Sequence, residues 1–355
     1  MSQREIYRIE KLPVLQNRVF NSVEAALKGP VGDVVLVQDN ETGLVFNSCF
    51  DPHKINYDGE YQNEQALSNV FRDHLGEVAN IIQRHLDNCS LVEIGCGKGY
   101  FLGHLKSLGC EITGVDPAYQ GTDPTIIKKL FQSGLDLSAD GIILRHVLEH
   151  IPEPIEFLSS IARENHRKRL IYIEIPCFDW ICQNRAWFDI YYEHVNYFRL
   201  GDFDQMFGSV IESGHIFGGQ YLYVVADLSS LRTPKFHETN RVDFSADFSA
   251  GIERILTVVK RRCRNVIWGV ASKGVIFSIH MARNAIQINL GIDINPAKQG
   301  KYLATSGLQV FSPVDAFALI SQHDNIFVMN SNYLDEIIVQ SKHKYNYYGV
   351  DYDRF

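Results

Sequence analysis

Glu193 and His194 stand side by side in a ten-residue stretch, Asp189-Ile-Tyr-Tyr-Glu-His-Val-Asn-Tyr-Phe198, that also carries Tyr191, Tyr192, Tyr197 and Phe198. A carboxylate next to an imidazole is a small acid–base device. Histidine has the basicity to take a proton near neutral pH, and a carboxylate can fix its tautomer and raise its basicity. Tyrosine hydroxyls can hydrogen-bond a developing oxyanion, and an aromatic wall excludes water. His150, in Leu148-Glu-His-Ile151, is a second imidazole that could serve as the base.

A glycine loop supplies the other chemical element. Gly95, Gly97 and Gly99 lie in Val92-Glu-Ile-Gly-Cys-Gly-Lys-Gly-Tyr-Phe101, between a strand-like and a helix-like run. Glycines there let backbone approach a ligand and take positive φ. Asp116 ends the next strand-like run about twenty residues on, where an acid can accept hydrogen bonds from ribose hydroxyls. Glu93 precedes the first of these glycines by two residues.

The elements around these residues alternate. Helical spacing over 71–86 precedes the strand-like Ser90-Leu-Val-Glu-Ile94. Further strand-like runs lie at Glu111-Ile-Thr-Gly-Val115 and Leu170-Ile-Tyr-Ile-Glu-Ile-Pro176, with helical patterns between them. This alternation predicts an α/β fold with a parallel sheet, closed by a strand pair over 213–228. A polar stretch near 230–250 separates it from a second α/β pattern. The expected organisation is a small N-terminal lobe (1–75), a central Rossmann-like domain (76–232) and a C-terminal Rossmann-like domain (233–355).

The 355 residues carry a net charge of −8 and no block of Lys and Arg, which argues against a nucleic-acid surface. There is no signal-peptide pattern and no run of about 18 apolar residues, so a cytoplasmic protein without membrane partners is expected. The seven cysteines form no Cys-x-x-Cys pair and read as reduced, mostly buried thiols.

The glycine loop, Glu93 and Arg145-His-Val-Leu-Glu-His-Ile-Pro-Glu-Pro154 together resemble the class I S-adenosylmethionine (SAM)-dependent methyltransferases over about 71–228. The resemblance implies that Gly95, Gly97 and Gly99 line the SAM site, Asp116 binds the ribose, and Arg145 and His146 lie at the pocket rim. S-adenosylhomocysteine is then the product. The aromatic stretch resembles a signature of sugar C-methyltransferases, carried here by Tyr191, Glu193, His194, Tyr197 and Phe198. Tyr192 stands where that family often has a first histidine. The likeness extends over nearly the whole chain, through Gly43-Leu-Val-Phe-Asn47 upstream, where Tyr61 matches a substrate-side tyrosine, and Gly269-Val-Ala-Ser-Lys-Gly274 downstream.

That resemblance implies methyl transfer to carbon on a nucleotide-linked keto-deoxysugar. A ketone acidifies the neighbouring C–H, and a placed base removes the proton. His194 would be the base, with His150 the alternative, Glu193 its orienter, and Tyr61 and Tyr191 on the substrate. Related enzymes carry an N-terminal zinc module of cysteine pairs. Here Asp39 and Thr42 occupy the positions of the second pair, so neither zinc nor another metal is expected. In the C-terminal domain Lys273, at a helix start, suits a phosphate or is a solvated scaffold lysine. Two other readings stay open: an O- or N-methyltransferase on another small molecule, and a SAM-binding module without catalysis.

Overall fold

The computed structural model describes residues 3–57, 61–86, 89–132, 134–135, 137, 139–165, 170–244, 248, 250–259 and 263–351. Its central sheet has seven strands in the order Val210–Ile216, Tyr221–Asp227, Leu170–Pro176, Gly141–Arg145, Ser90–Ile94, Glu111–Val115 and Ile126–Ile127. The last five run parallel, and the first two are an antiparallel hairpin that closes the sheet. The inner strands are nearly unbroken apolar runs because helices cover both faces of such sheets. Helix Asn69–Leu86 contributes Phe71, Leu75, Val78, Ile82 and Leu86, spaced three or four apart and all buried.

Register decides which polar groups meet at the strand ends. Ile94 pairs with Val115, so the glycine loop and Asp116 emerge side by side. Arg145 pairs with Glu174 across neighbouring strands. Ligands of α/β sheets bind in the crevice beyond the carboxyl ends of the strands, where these groups lie.

Two further sheets flank this one. The first is antiparallel: Gln3–Pro13, Val31–Asp39, Val45–Asn47 and Asn196–Tyr197. Its last strand belongs to the aromatic stretch, so the N-terminal residues are stitched directly to the region around His194. The other is a five-stranded parallel sheet, ordered Val310–Phe311, Leu290–Ile292, Asn265–Trp268, Asn325–Val328 and Asn346–Gly349. One apolar cluster runs from Leu12, Leu36 and Val45 through Trp187 to Phe277 on helix Ser272–Arg283. The ring of Trp187 stacks on that of Phe277 at 5.9 Å.

At Asp39–Thr42 the turn is tied by its own side chains. Oδ1 of Asp39 accepts hydrogen bonds from Glu41 N (3.0 Å), Thr42 N (2.7 Å) and Thr42 Oγ1 (2.9 Å). An Asx turn does here what a metal could do through cysteines. None of the seven cysteines forms a disulfide among the described residues. No helix among the described residues is long and apolar enough to cross a membrane.

Tyr192 packs away from the strand-end crevice. Its ring is fully buried over Gly32, where an added Cβ would come 2.1 Å from it, and its hydroxyl accepts from Asp51 N at 2.9 Å. Gly32→Ala is therefore expected to overpack this contact and destabilise the protein by about 1–3 kcal/mol. Chemical denaturation should show an earlier midpoint, and an unchanged one would mean that the ring has room to move.

Candidate active site

The glycine loop connects strand Ser90–Ile94 to helix Tyr100–Ser107. Gly95, Gly97 and Gly99 have φ of 76°, 56° and 78°, which L side chains rarely adopt. A Cβ on Gly95 would stand 2.3 Å from Cγ2 of Val147, whereas one on Gly97 would meet nothing within 4 Å. The first glycine permits close packing and the second leaves a face open to a ligand. Asp116 Oδ2 accepts from Gly97 N at 2.8 Å and Oδ1 from Ala118 N at 2.8 Å. Burial pushes its carboxyl up, against those backbone bonds.

Glu93 is buried beneath the loop, and its Oε2 has no hydrogen-bond partner among the described residues. Desolvation pushes its carboxyl up to about 7, with Arg145 opposing. An orphaned buried acid at this place fits an ammonium group of a ligand. The positive-φ loop, the open face at Gly97 and the paired acids fit the amino-acid and ribose parts of SAM. Because the folded carboxyl titrates above its ordinary 4.5, its neutral form favours the ligand-free fold below pH 4.5, and this advantage is lost as pH rises through about 7. Glu93→Gln should remove that loss, worth about 3 kcal/mol. Urea melts of both proteins across this range test it, and parallel profiles would contradict it.

Glu174, also buried, collects four donors: Arg145 Nε at 3.1 Å, His74 Nε2 at 2.9 Å, His146 Nε2 at 3.1 Å and Tyr172 OH at 3.0 Å. Burial would raise its carboxyl, but Arg145, then His146 and His74, hold it well below the usual range. Arg145 thus turns inward, its guanidinium 4.4 Å from the centre of the Phe101 ring, and only His146 of the two predicted rim residues lines the cleft. Burial lowers His146, but Glu149 and Glu174 outweigh it and raise the ring to about 9. Glu174 is absent from the sequence-based site. Its signal was a lone acid inside the apolar run Leu170-Ile-Tyr-Ile-Glu-Ile-Pro176.

The cleft beyond the strand ends is lined by Tyr61, His150, Tyr191, Glu193 and His194, and on its other wall by Lys273 and Lys298. Gly95, Gly97, Gly99 and Asp116 do not line this cleft; the segment 146–150 stands between the two, with His146, Glu149 and His150 on the cleft and Val147 against Gly95. The hydroxyl of Tyr197 donates to Tyr191 O and accepts from Tyr191 N, both at 2.9 Å, and holds the aromatic loop in shape.

The expected Glu193–His194 pair does not form. Glu193 Oε2 accepts from Tyr61 OH at 2.8 Å and Oε1 from Gln16 N at 3.2 Å. Burial pushes Glu193 up, opposed by His150, Tyr61 and Gln16. Adjacent side chains on non-helical backbone project apart, so a carboxylate and an imidazole in successive positions rarely meet. Glu193 serves His150 instead, through its backbone: His150 Nδ1–H donates to Glu193 O at 2.9 Å. A carbonyl only accepts, so the neutral ring carries its proton on Nδ1 and its lone pair on Nε2. Tyr57 OH lies 3.3 Å from the same Nδ1. The His194 ring meets that of His150 edge-on at 4.9 Å and that of Tyr191 at 4.7 Å. Burial first, then the charges of His150 and His146, hold His194 well below the usual imidazole range.

Tyr191 donates its hydroxyl to Asp189, which pairs with Lys273 Nζ at 3.1 Å. Lys273 also donates to Gln220 Oε1 at 2.7 Å and lies 5.0 Å from the Trp180 ring centre. Lys298, which sequence reasoning passed over, is 3% exposed, and its ammonium stands 3.6 Å from Asp293 Oδ2 and 3.5 Å from Asn17 Oδ1.

Residues 64–210, about two fifths of the chain, match the family model of a methyltransferase domain. Over this segment the chain is similar to methyltransferase domains. Solved structures similar to the chain include the 1,6-didemethyltoxoflavin-N1-methyltransferase of Burkholderia thailandensis, at 14% identity over 52% of this chain and 94% of that one, TM-score 0.36. The plantazolicin methyltransferase is 16% identical over 46% and 86%, TM-score 0.35. A possible histamine N-methyltransferase of Thermotoga maritima is 16% identical over 44% and 90%, TM-score 0.35. No curated protein matches the chain.

Proposed function

We propose that this methyltransferase acts on a carbon of a nucleotide-linked keto-deoxysugar. The observation that carries the reading is His150, whose tautomer is set by the Glu193 carbonyl and whose Nε2 keeps a lone pair in the cleft shared with Tyr61 and Tyr191. Gly95, Gly97, Gly99 and Asp116 would hold SAM, with Glu93 at its ammonium. Bound there, SAM supplies an electrophilic methyl group to a carbanion.

The chain's own residues prepare that carbanion. Nε2 of His150 takes the proton from the carbon next to the ketone. His194 stays neutral beside it and adds no repelling charge to the cation that forms. Tyr61, its hydroxyl pushed well above the usual range by burial and then by Glu193, remains a donor at the cleft wall. It can turn from Glu193 to the enolate oxygen. Tyr191, tied to Asp189, shapes the wall and bars water. Lys298, a buried cation with only distant partners, supports an anionic portion of the acceptor, as the diphosphate of a nucleotide sugar would be.

The test uses the α-proton. With S-adenosylhomocysteine in place of SAM, a keto-deoxysugar nucleotide incubated with the protein in D₂O should take up deuterium beside the ketone. With SAM, the methyl group should appear on that carbon. A methyl found on oxygen or nitrogen, or turnover without exchange, would refute the carbon reading.

A further inference from the structure

We propose that Glu149, His150 and His194 form a site for one divalent transition-metal ion of the zinc class, on the floor of the cleft. One ligand atom from each lies within 4.8 Å of the other two. Two imidazoles and a carboxylate are a common ligand set for such ions.

Three observations distinguish this group from a chance cluster. The Glu149 carboxylate is 2% exposed, and neither oxygen has a hydrogen-bond partner among the described residues. A buried acid needs charge or donors to answer it, and His146, 3.5 Å from Oε1 and shared with Glu174, leaves Oε2 open to a cation. His150 already has the outer contact that metal-binding imidazoles use, with Nδ1–H on a backbone carbonyl and Nε2 free. Neither ring nitrogen of His194 makes a hydrogen bond among the described residues, so both keep their coordinating capacity. Bonds of about 2.0–2.2 Å put tetrahedral ligands roughly 3.3 Å apart, so the three groups must close by an ångström or so. His146 is the competitor, its Nδ1 standing 3.5 Å from Glu149 Oε1.

A bound ion takes the lone pair that Nε2 of His150 otherwise offers to a proton. The ion and general-base catalysis by that ring exclude one another, so metal loading acts as a reversible block of transfer. The inhibitory consequence rests on the proposed role of His150, whereas the site itself does not.

Titration of the chelator-treated full chain with Co²⁺, without SAM or acceptor, tests the site. Wild type should bind one ion and develop a visible absorption of low-coordinate cobalt. Glu149→Gln and His194→Gln should each weaken binding at least tenfold. His146→Gln, which removes the competing imidazolium, should retain or tighten it. Far-UV circular dichroism checks that each variant is folded. No stoichiometric binding by wild type, or equal binding by folded Glu149→Gln and His194→Gln, overturns the proposal. Either result leaves the carbon-methylation reading standing, because that is tested by deuterium exchange.

Discussion

His150→Gln should lower turnover by about 10²–10⁴-fold while SAM affinity stays unchanged, the usual worth of a positioned base. Glutamine keeps much of the ring's bulk and can still donate toward the Glu193 carbonyl, but it has no basic nitrogen. The loss therefore isolates the lone pair on Nε2 from the packing of the residue. His194→Gln is the companion variant. Among the described residues its ring makes no hydrogen bond that fixes a tautomer, and burial disfavours its charged form. A smaller loss is expected there. Single-turnover rates with SAM prebound, alongside calorimetric SAM affinities, separate chemistry from binding. If His194→Gln takes the large loss and His150→Gln does not, the base is His194.

Asp116→Ala should weaken SAM binding by about 10–100-fold, the equivalent of roughly 1.5–3 kcal/mol for hydrogen bonds to a charged acceptor. The carboxylate has two duties. It accepts from Gly97 N and Ala118 N, which fixes the open face of the loop, and its remaining lone pairs are available to ribose hydroxyls. Asp116→Asn distinguishes the two, since an amide oxygen can still accept from Gly97 but carries no charge. An intermediate loss is expected for it. Calorimetric titration with SAM and with S-adenosylhomocysteine measures both variants, and wild-type affinity in Asp116→Ala would remove Asp116 from the cofactor site.

The cofactor loop was legible because its constraints are local. Three glycines alternating between an apolar run and a helical pattern demand positive φ, and the three observed angles meet that demand. The acid at the end of the next strand follows from parallel pairing, since register brings neighbouring strand ends together. The closing hairpin was readable from the stretch 213–228, where two glycines precede the apolar run Tyr221-Leu-Tyr-Val-Val-Ala-Asp227. Tyr192 was visible as a departure, yet its place over Gly32 was not, because that contact joins positions 160 residues apart. The family resemblance implied a place at the pocket rim for Arg145. Its side chain instead answers the buried charge of Glu174 on the neighbouring strand, a demand that no single stretch of sequence displays.

By itself the sequence determined the parallel α/β plan, the backbone path of the glycine loop and the chemical types gathered at the aromatic stretch, since φ preference and hydrophobic period act within about ten residues. Tertiary structure alone decided who partners whom. Glu193 lies beside His194 in the chain but gives its carboxylate to Tyr61, 132 positions away, and its carbonyl to His150, 43 away. Such contacts are chosen when the sheets pack together and every buried donor and acceptor must be satisfied at once, a condition that spans the whole molecule.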